Sequence, residues 1–596
     1  MILISIAIGT IAILSALSLT AAVLFFVLVP ACVITSLRYL LRLIGKTGRR
    51  HRIGRPNDPV IGFFHPSRSL ESRPHVHALP LPPHGGGGGE RVLWSAVAAI
   101  QRAYPTAAVC VYTGDVTAAE ADAAGRHAPE HALDRFNIDL PRPVHLVPLV
   151  ARPLLSPHLW PVATLVFQSL AGAFVGLEAI WRLQPDVMID TSGHAFAYPI
   201  WSWASGGATW VASYTHYPVV SSDMLEAQRA QKTLKSRLKI PYYRLFSQLY
   251  RLAGSYSGFS MVNSTWTSNH MAAIWRQKPT IVFPPCDTKT LSALPLEGDP
   301  GAGRQPNIVY LAQFRPEKDH GLVLRAFAKY LQAWLGAEQK EANPELVDYE
   351  AHTGRMSAAS RTVRQRAAQA AGLVFIGSIR AAPLQRQQDI VLLRDLISQA
   401  QNLLGHFPPR VGVASSPEDT KAALSAPVAG PMVDTLDALL QRQGYWDHLL
   451  ANGRVRFLVN APFDLVARYL GQSQVGVHAM RQEHFGIGVV ETMAAGCVMV
   501  AHDSGGPQAD IVVPDAGGNI TGFLARTHRD YARAFSHVLG TLDGATRRRI
   551  AGHARAHVGA AFSQQRFDRA FVQAVAPAVD ITLARMGQAS LAQAKI

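Results

Sequence analysis

Short apolar runs rich in β-branched residues alternate with helix-like stretches along the chain from about residue 55 onward. Strands and helices that alternate in this way form parallel sheets covered by helices. The pattern therefore restricts the chain to an α/β fold. The predicted strands are Val60–Phe64, Ala107–Tyr112, Asp186–Ile189, Thr209–Ser213 and Phe259–Val262 in a first set, and Ile308–Ala312, Leu373–Ile376, Val455–Val459, Val475–His478 and Val498–Ala501 in a second.

A Gly/Pro-containing linker, residues 294–301, separates the two sets of strands. The sequence thus predicts one Rossmann-like domain at 55–293, a second at 302–560, and a helical segment at 561–596. Two such domains leave a crevice between the carboxyl ends of their strands, which is where ligands bind in α/β folds. A two-domain enzyme with a cleft is the expected architecture.

The N-terminal segment 1–37 contains no charged residue, and Ile2–Val29 is long enough to cross a bilayer as a helix. A basic cluster between Arg38 and Arg52 follows directly, which places the folded part on the cytosolic side. A cleaved signal peptide would have a shorter apolar region preceded by the basic residues. The sequence predicts an uncleaved membrane anchor at 1–37.

Four other segments fit the α/β alternation less well. Residues 338–370 and 381–447 are polar, alanine-rich and weakly patterned, and predict surface insertions in the second domain. Residues 159–181 are nearly uncharged, and residues 241–252 interleave tyrosines with arginines. For these two, contact with a membrane surface and burial in a core both remain open.

The formal net charge of +16 favours an acidic partner such as nucleic acid, anionic lipid or a phosphorylated substrate. No RNP, zinc-finger or basic-zipper pattern is present in the sequence, so no nucleic-acid partner is expected. The four cysteines lack the spacing of a zinc site or a disulfide framework. No metal ion and no cofactor are therefore expected.

Two carboxylates, Glu483 and Glu491, lie eight positions apart around an apolar, glycine-containing core that follows the predicted strand Val475–His478. If a helix begins near Gly486, its free amides face a phosphate or a sugar. Glu491 then lies one turn inside and faces the same crevice. Because a charge within such an apolar run needs a partner, the pattern favours a ribose diol at Glu491 and sugar hydroxyls at Glu483. Two carboxylates on an ordinary helix surface are the alternative.

Two further motifs can hold phosphate. The glycine run 85–89 precedes a helical pattern, and glycines at a helix N-terminus allow close approach to a phosphate. A flexible linker is the alternative there. The turn after Ile308–Ala312 carries Arg315, which can bind a diphosphate through paired hydrogen bonds, and Lys318, which can act as a point charge. A solvated turn would carry the same charges.

Glu483–Glu491 resembles the E-x7-E signature of retaining GT-B glycosyltransferases of family 4. Further motifs, spread over about residues 60–570, resemble one family of endoplasmic reticulum enzymes that adds α-1,2-linked mannose from GDP-mannose to a dolichol-pyrophosphate-linked oligosaccharide. These motifs are His65-Pro66, GGGGGERVLW, Tyr214-Thr215-His216-Tyr217-Pro218, Asp223-Met224-Leu225, Pro284-Pro285-Cys286-Asp287, AQFRPEK and EHFGIGVVETMAAG.

The resemblance implies a GT-B fold, GDP-mannose as donor, a dolichol-pyrophosphate-linked trimannosyl oligosaccharide as acceptor and membrane lipid as a partner. It places the enzyme in the endoplasmic reticulum membrane with its catalytic domains in the cytosol. Whether other mannosyltransferases of the pathway bind the chain is left open. The implied site has Glu483 and His216 at the transferred sugar, Glu491 at the ribose, Lys318 and Arg315 at the diphosphate, and Gly87, Gly88, Gly89, Phe485, Gly486 and Ile487 around the donor.

Two departures from the family pattern stand out. Gln313 occupies the position, five before Lys318, where many members carry a phosphate-binding arginine, and the segment 67–84 is an insertion before the glycines. His216 could instead be a structural histidine. Another lipid-linked glycosyltransferase of the same fold, and a non-catalytic scaffold in a glycosyltransferase complex, remain the competing functions.

Overall fold

The computed structural model describes residues 34–49, 51, 53–55, 57–66, 88–219, 234–335, 358–380, 383–405, 407, 446–449 and 453–593. Two seven-stranded sheets form the centres of two domains. The predicted α/β class is confirmed. Most of the anchor predicted at 1–37 lies outside the described residues, as does Gly87.

The N-terminal sheet has the strand order β3-β2-β1-β4-β5-β6-β7, and all its pairings are parallel. Its strands are β1 (Val60–Phe64), β2 (Ala108–Thr113), β3 (His145–Pro148), β4 (Val187–Asp190), β5 (Trp210–Thr215), β6 (Phe259–Val262) and β7 (Thr280–Ile281). The helices in this part of the chain are α1 (34–49), α2 (Gly88–Ala103), α3 (Ala121–Arg126), α4 (Ala128–Phe136), α5 (Thr164–Arg182), α6 (Tyr198–Ala204), α7 (Leu234–Gly254), α8 (Thr265–Trp275) and α9 (Thr288–Ser292).

The C-terminal sheet has the order β10-β11-β9-β8-β12-β13-β14, parallel except for the β10–β11 pair. Its strands are β8 (Gln305–Leu311), β9 (Gly372–Gly377), β10 (Trp446–Leu449), β11 (Val455–Val459), β12 (Ser473–His478), β13 (Val498–His502) and β14 (Gly522–Ala525). The helices are α10 (His320–Leu335), α11 (Ala358–Ala370), α12 (Pro383–Leu404), α13 (Phe463–Gln472), α14 (Ile487–Ala494), α15 (His528–Gly540), α16 (Gly544–Phe562) and α17 (Gln564–Gln593).

Both sheets are doubly wound, and in each the strand order reverses beside the first strand of the domain. The reversal lies between β1 and β4 in one domain and between β8 and β12 in the other. The central strands β1, β4 and β13 are buried along their whole length, because helices cover both faces. Ligands in such folds bind beyond the carboxyl ends of the strands at the point of reversal.

All ten predicted strands are present, with ends that shift by at most three residues. The sequence interpretation missed β3, β7, β10 and β14. These are strands of two or four residues toward the edges of the sheets. Short strands toward an edge lack the long apolar run by which the central strands are recognised.

The predicted surface insertions are wrong where the structure describes them. Helix α12 lies within the predicted insertion 381–447, yet its Leu393 and Leu396 are buried in the core of the C-terminal domain. Ala368 of α11, from the predicted insertion 338–370, belongs to the same core. A narrow apolar stripe among many polar residues is enough to hold a helix against a sheet.

Helix α17 returns from the C-terminal domain to the N-terminal domain. Its side chains Phe567, Phe571 and Val575 are buried in the core that contains β1. The Phe571 ring stacks on Phe63, with ring centroids 6.4 Å apart. The end of the chain thus supplies part of the core of the first domain.

Helix α1, which begins within the predicted anchor, packs closely on α5 and α6. A Cβ atom added at Gly45 would lie 2.2 Å from the Ala204 carbonyl oxygen, and one at Gly48 would lie 1.8 Å from that of Ile180. Leu41 is buried in the contact. The chain that follows the apolar N-terminal segment is therefore held against the N-terminal domain.

Among the described residues, α5 is the one helix long and apolar enough to cross a membrane by length and composition. Core helices of soluble proteins can meet the same criterion. One face of α5, with Val175 and Ala179, is buried in the domain core. The opposite face carries exposed apolar side chains, among them Leu170 and Phe174.

Candidate functional site

A cleft of about 660 Å³ lies where the carboxyl ends of the two sheets face each other. His65 and Thr191, which follow β1 and β4, form one wall. Gln313 and Glu483, which follow β8 and β12, form the other. The cleft thus occupies the point of strand reversal of both domains, as the fold rule requires.

Glu483 lies at the centre of the C-terminal wall and is an ionised carboxylate. Its Oε2 atom accepts hydrogen bonds from Nζ of Lys318 and from Nε2 of His478, the latter at 3.1 Å. Burial alone would raise the pKa of Glu483, but Lys318 and His478 more than offset it and hold the pKa well below its usual range. Among the described residues no hydrogen bond reaches Oε1, so this oxygen can accept one from a substrate hydroxyl.

Two glycines allow the turn that carries Glu483. Gly505 has φ +68°, and a Cβ atom there would lie 2.3 Å from the Glu483 carbonyl oxygen. That carbonyl accepts a hydrogen bond of 2.7 Å from the Gly506 amide. Gly486, with φ +112°, is the N-cap of α14. The loop at 504–507 therefore packs against the backbone of Glu483.

Glu491 lies in the second turn of α14 and faces the same cleft. Burial raises its pKa to about 7, a nearby Arg91 opposes the rise, and Asp287 adds to it. The start of α14 lies on the cleft as well, because Gly486, Ile487 and Gly488 line it. The predicted arrangement of a helix start near Gly486 with Glu491 one turn inside is confirmed.

The first turn of α2 lies across the cleft from α14. Gly88 and Gly89 begin this helix and line the cleft. A Cβ atom at Gly88 would lie 2.8 Å from Cδ1 of Ile487, and one at Gly89 would lie 3.6 Å from Nε2 of His216. A side chain at Gly88 would therefore narrow the space between the domains, and one at Gly89 would contact His216.

His216 follows β5 and presents a bare nitrogen toward α2. Burial lowers its pKa to about 4, while a hydrogen bond with the Thr191 backbone opposes this shift. Because this hydrogen bond raises the pKa, a ring nitrogen must donate it to the Thr191 carbonyl oxygen. The donor is Nδ1, which therefore carries the proton, because Nε2 has no hydrogen-bond partner in the described part of the chain. Nε2 is thus an unpaired hydrogen-bond acceptor, buried in the cleft wall beside Gly89.

The turn after β8 brings Lys318 into the cleft but not Arg315. Gln313 and Lys318 line the cavity, whereas the Arg315 guanidinium lies 3.9 Å from the Glu317 carboxylate at the outer side of the turn. The reason is local, because Arg315 is the extended N-cap (φ −132°, ψ 148°) of the one-turn 3₁₀ helix 316–318 and not part of the helix that carries Lys318. Phe485 lines the cavity and packs against the rings of Phe283 and Phe562.

The sequence interpretation missed Arg91 and His478. Arg91 comes two residues after the last glycine of the run and lies in the first turn of α2 on the cleft wall. His478 ends the buried strand β12 and is 3% exposed. The sequence signal for Arg91 was a cation close to a phosphate-type glycine run. The signal for His478 was a histidine at the end of a central strand.

Two doubly wound domains that face each other across a cleft with paired carboxylates define a GT-B-type glycosyltransferase. Among solved structures, sucrose-phosphate synthase from Thermosynechococcus elongatus is similar at TM-score 0.51 and 14% identity, covering 86% of this chain and 98% of that one. Trehalose 6-phosphate synthase from Burkholderia multivorans is similar at TM-score 0.50 and 12% identity, covering 88% and 99%. These likenesses concern the fold.

The sequence comparisons are more specific. The family described as ALG11 mannosyltransferase N-terminus matches residues 75–275, and that described as glycosyl transferases group 1 matches residues 428–556. The human protein named GDP-Man:Man(3)GlcNAc(2)-PP-Dol alpha-1,2-mannosyltransferase is 36% identical over 91% of this chain and 92% of its own length. Its namesake from Dictyostelium discoideum is 31% identical over 80% and 77%. The chain belongs to this family of mannosyltransferases, and the resemblance stated from its motifs is confirmed.

Proposed function

We propose that this enzyme transfers α-1,2-linked mannose, with retention, from GDP-mannose to a dolichol-pyrophosphate-linked trimannosyl oligosaccharide at the cytosolic face of the endoplasmic reticulum. The observation that carries the proposal is the convergence of Lys318, Glu483 and Glu491 in one cleft of a chain from this family. The other residues of the cleft support an arrangement in which the C-terminal wall binds the donor.

The donor would lie along α14. Glu491 in its ionised form accepts two hydrogen bonds from a ribose diol, and the amides at the helix start face the diphosphate. Lys318 supplies a positive charge for the diphosphate, and its bond with Glu483 must then rearrange or be shared. Arg91, rather than Arg315, is the second cation on the cleft wall. We therefore assign the diphosphate to Lys318 and Arg91.

The chemistry requires one bond to break and one to form on the same face of the mannose. As the bond between C1 and the phosphate oxygen breaks, the oxocarbenium-like sugar is attacked by the acceptor hydroxyl, whose proton passes to the leaving phosphate oxygen. Fixed cations beside the diphosphate stabilise the charge that develops there. Oε1 of Glu483 and Nε2 of His216 accept hydrogen bonds from sugar hydroxyls and orient the ring.

Metal independence is part of the proposal. It is supported by the positive charges of Lys318 and Arg91 on the cleft wall and by the helix start beside them, which together can balance a leaving diphosphate. With chelator present, the rate of mannose transfer should be unchanged. A rate that falls with chelator and returns with Mn²⁺ or Mg²⁺ would refute this part.

A single-pass anchor at 1–37 and contact with membrane lipid also belong to the proposal. The outward face of α5 carries exposed apolar side chains, with Phe167 at 41%, Leu170 at 58% and Phe174 at 54% exposed. Helix α1, which continues the apolar segment, packs against the same helix. A lipid-linked acceptor would reach the cleft from a membrane on this side of the N-terminal domain.

The test is product analysis with the full chain in membranes, GDP-mannose and a lipid-linked trimannosyl acceptor. Transfer of mannose that α-1,2-mannosidase removes is the expected result. Glu483→Gln, Glu491→Gln and Lys318→Met should lose most of the activity. Glu317→Gln, at a half-exposed side chain next to Lys318, is the matched control and should keep it.

Each competing function has its own outcome. Transfer to a different lipid-linked acceptor, with none to the trimannosyl compound, would establish another glycosyltransferase of the same fold. GDP-mannose binding without turnover on any acceptor would establish a scaffold. Full activity of Lys318→Met would refute the proposed stabilisation of the leaving group.

A further inference from the structure

The residue after Glu483 is held between two aromatic rings of the opposite domain. The His484 ring stacks on Tyr217, with centroids 5.3 Å apart and an angle of 20° between the planes. Its other neighbour is Trp266, at 5.1 Å and 35°. Tyr217 follows β5 and Trp266 lies in the first turn of α8, so both belong to the N-terminal domain. His484 thus packs against side chains of the other domain.

The residue before Glu483 is held by the same tryptophan. Nε1 of Trp266 donates a hydrogen bond of 2.6 Å to Oε1 of Gln482. Gln482 has φ +54°, a left-handed conformation that non-glycine residues rarely adopt without support. Its amide also donates to Oγ of Ser504 at 2.9 Å. Gln482 and His484, the residues on either side of Glu483, are therefore both held in place by these contacts.

A further hydrogen bond crosses between the domains beside these contacts. The amide of Thr265, next to Trp266, donates to Oδ2 of Asp510 at 2.9 Å. The start of α8 therefore touches the C-terminal domain at the loop carrying Glu483 and again at Asp510. The N-terminal wall of the cleft, with Gly89 and His216, belongs to the same domain as α8. The spacing between Glu483 and that wall is consequently set in part by these aromatic contacts.

We propose that Trp266 and His484 are positioning residues, which fix the Glu483 carboxylate relative to the N-terminal wall of the cleft through the contacts at 482 and 484. The inference rests on the proposed function, since it assigns Glu483 to the transferred sugar. In that function the nucleotide part of the donor is held by Glu491 within α14, a residue that none of these aromatic contacts involves. The two positioning residues should therefore affect turnover and leave nucleotide binding unchanged.

The contact at His484 is one of ring packing. Burial and the nearby Lys318 and His270 lower the pKa of His484, while Glu483 opposes them. A neutral imidazole between two aromatic rings can be replaced by another flat ring of similar width. His484→Phe should accordingly restore what His484→Ala loses, which a role of the imidazole in proton transfer would not allow.

The experiment compares four variants of the full chain in detergent or membranes. Trp266→Phe keeps the ring and removes the hydrogen bond to Gln482, while His484→Ala and His484→Phe remove and restore the ring contact. The control is Trp334→Phe, which removes an equivalent indole hydrogen bond, 2.9 Å to Oγ of Ser536, inside the C-terminal domain. The measurements are kcat, the Kd for GDP, and amide hydrogen exchange of residues 482–486 and Gly506.

We expect kcat to fall about 10- to 100-fold in Trp266→Phe and His484→Ala, the loss typical of a catalytic group displaced by about an ångström. The Kd for GDP should stay at the parental value, and the amide of Gly506, which bonds to the Glu483 carbonyl, should exchange faster. Trp334→Phe and His484→Phe should keep both kcat and the exchange rate. Because the exchange arm needs no turnover, it tests the positioning role even if the parent chain transfers no mannose.

The inference is overturned if Trp266→Phe turns over at the parental rate with unchanged exchange. It is also overturned if GDP affinity falls in parallel with kcat, since that would indicate general damage to the site. If His484→Phe is as impaired as His484→Ala, the imidazole itself is required and the ring-packing role is refuted. A parent chain that transfers no mannose to any acceptor would refute the proposed function, independently of these outcomes.

Discussion

Replacing Lys318 by Met would leave Glu483 as a buried carboxylate with His478 as its one hydrogen-bonded neighbour among the described residues. The side chains of Lys318 and Glu483 are 18% and 11% exposed. Removal of one partner from a buried ion pair typically destabilises a protein by about 3–5 kcal/mol. Since His478 remains and Lys318 is slightly exposed, we expect the lower end, about 3 kcal/mol, for the C-terminal domain.

For a domain of this size, such a loss corresponds to a thermal midpoint lowered by about 6–12 °C. Thermal unfolding of the purified full chain, followed by intrinsic fluorescence, measures it. The transition of the C-terminal domain is the one that GDP shifts upward, because a ligand stabilises the state that binds it. Lys278→Met, at an exposed lysine, is the control and should leave both transitions in place.

Two further arms test the cause of the loss. The double variant Lys318→Met/Glu483→Gln removes both charges and should recover most of the midpoint without recovering transfer. The pKa of Glu483 is held below its ordinary value, so its contribution to stability exists above that value and is lost as the pH falls. The difference between parent and Lys318→Met should therefore shrink only below the ordinary pKa of a glutamate, about 4.3, as the pH falls toward the depressed pKa of Glu483 in the parent.

The reasoning would be refuted by a Lys318→Met protein with the parental midpoint at neutral pH. It would equally be refuted by a double variant as unstable as the single one. Either result would mean that water already solvates Glu483 in the cleft, and that Lys318 is not its main partner.

Three further predictions concern neighbouring positions. Burial raises the pKa of Glu491 to about 7, so the folded state loses stability as the pH rises toward that value. At a pH above 7, Glu491→Gln should therefore have a higher thermal midpoint than the parent. The same variant should have a higher KM for GDP-mannose in initial-rate assays. Gly505→Ala should abolish transfer, since its Cβ would meet the Glu483 carbonyl, whereas Gly518→Ala, with φ +77° and open space around it, should retain activity in the same assay. His478→Gln, which keeps a donor for Glu483, should retain more of kcat than His478→Phe; equal losses would argue against the bond.

The central strands could be predicted from sequence because their constraint is local. Val60–Phe64 and Val498–His502 are buried along their whole length, which requires a continuous apolar run that the sequence displays. Helix α12 could not be recognised in this way. Its many polar residues obscure a narrow stripe, and only the sheet beneath shows that Leu393 and Leu396 are core residues.

The residues of the candidate site could likewise be predicted from sequence only in part. Glu483 and Glu491 were visible because two charges stand inside an apolar run, and their surroundings follow from one helix start. Arg91 lies inside a helix and Arg315 is an extended N-cap, and no simple sequence pattern shows which of the two faces the cleft. The contacts of His484 with Tyr217 and Trp266 join positions more than 200 residues apart, so no local signal exists for them.

The return of α17 to the N-terminal domain has a consequence for how the protein is made. During synthesis the segments that form β1 to β7 leave the ribosome first, but Phe567, Phe571 and Val575 leave it last. The first domain therefore exposes an unfilled apolar surface until translation of the second is complete. Its final folding is a post-translational event, and a chain that terminates early would lose the integrity of the domain farthest from the stop.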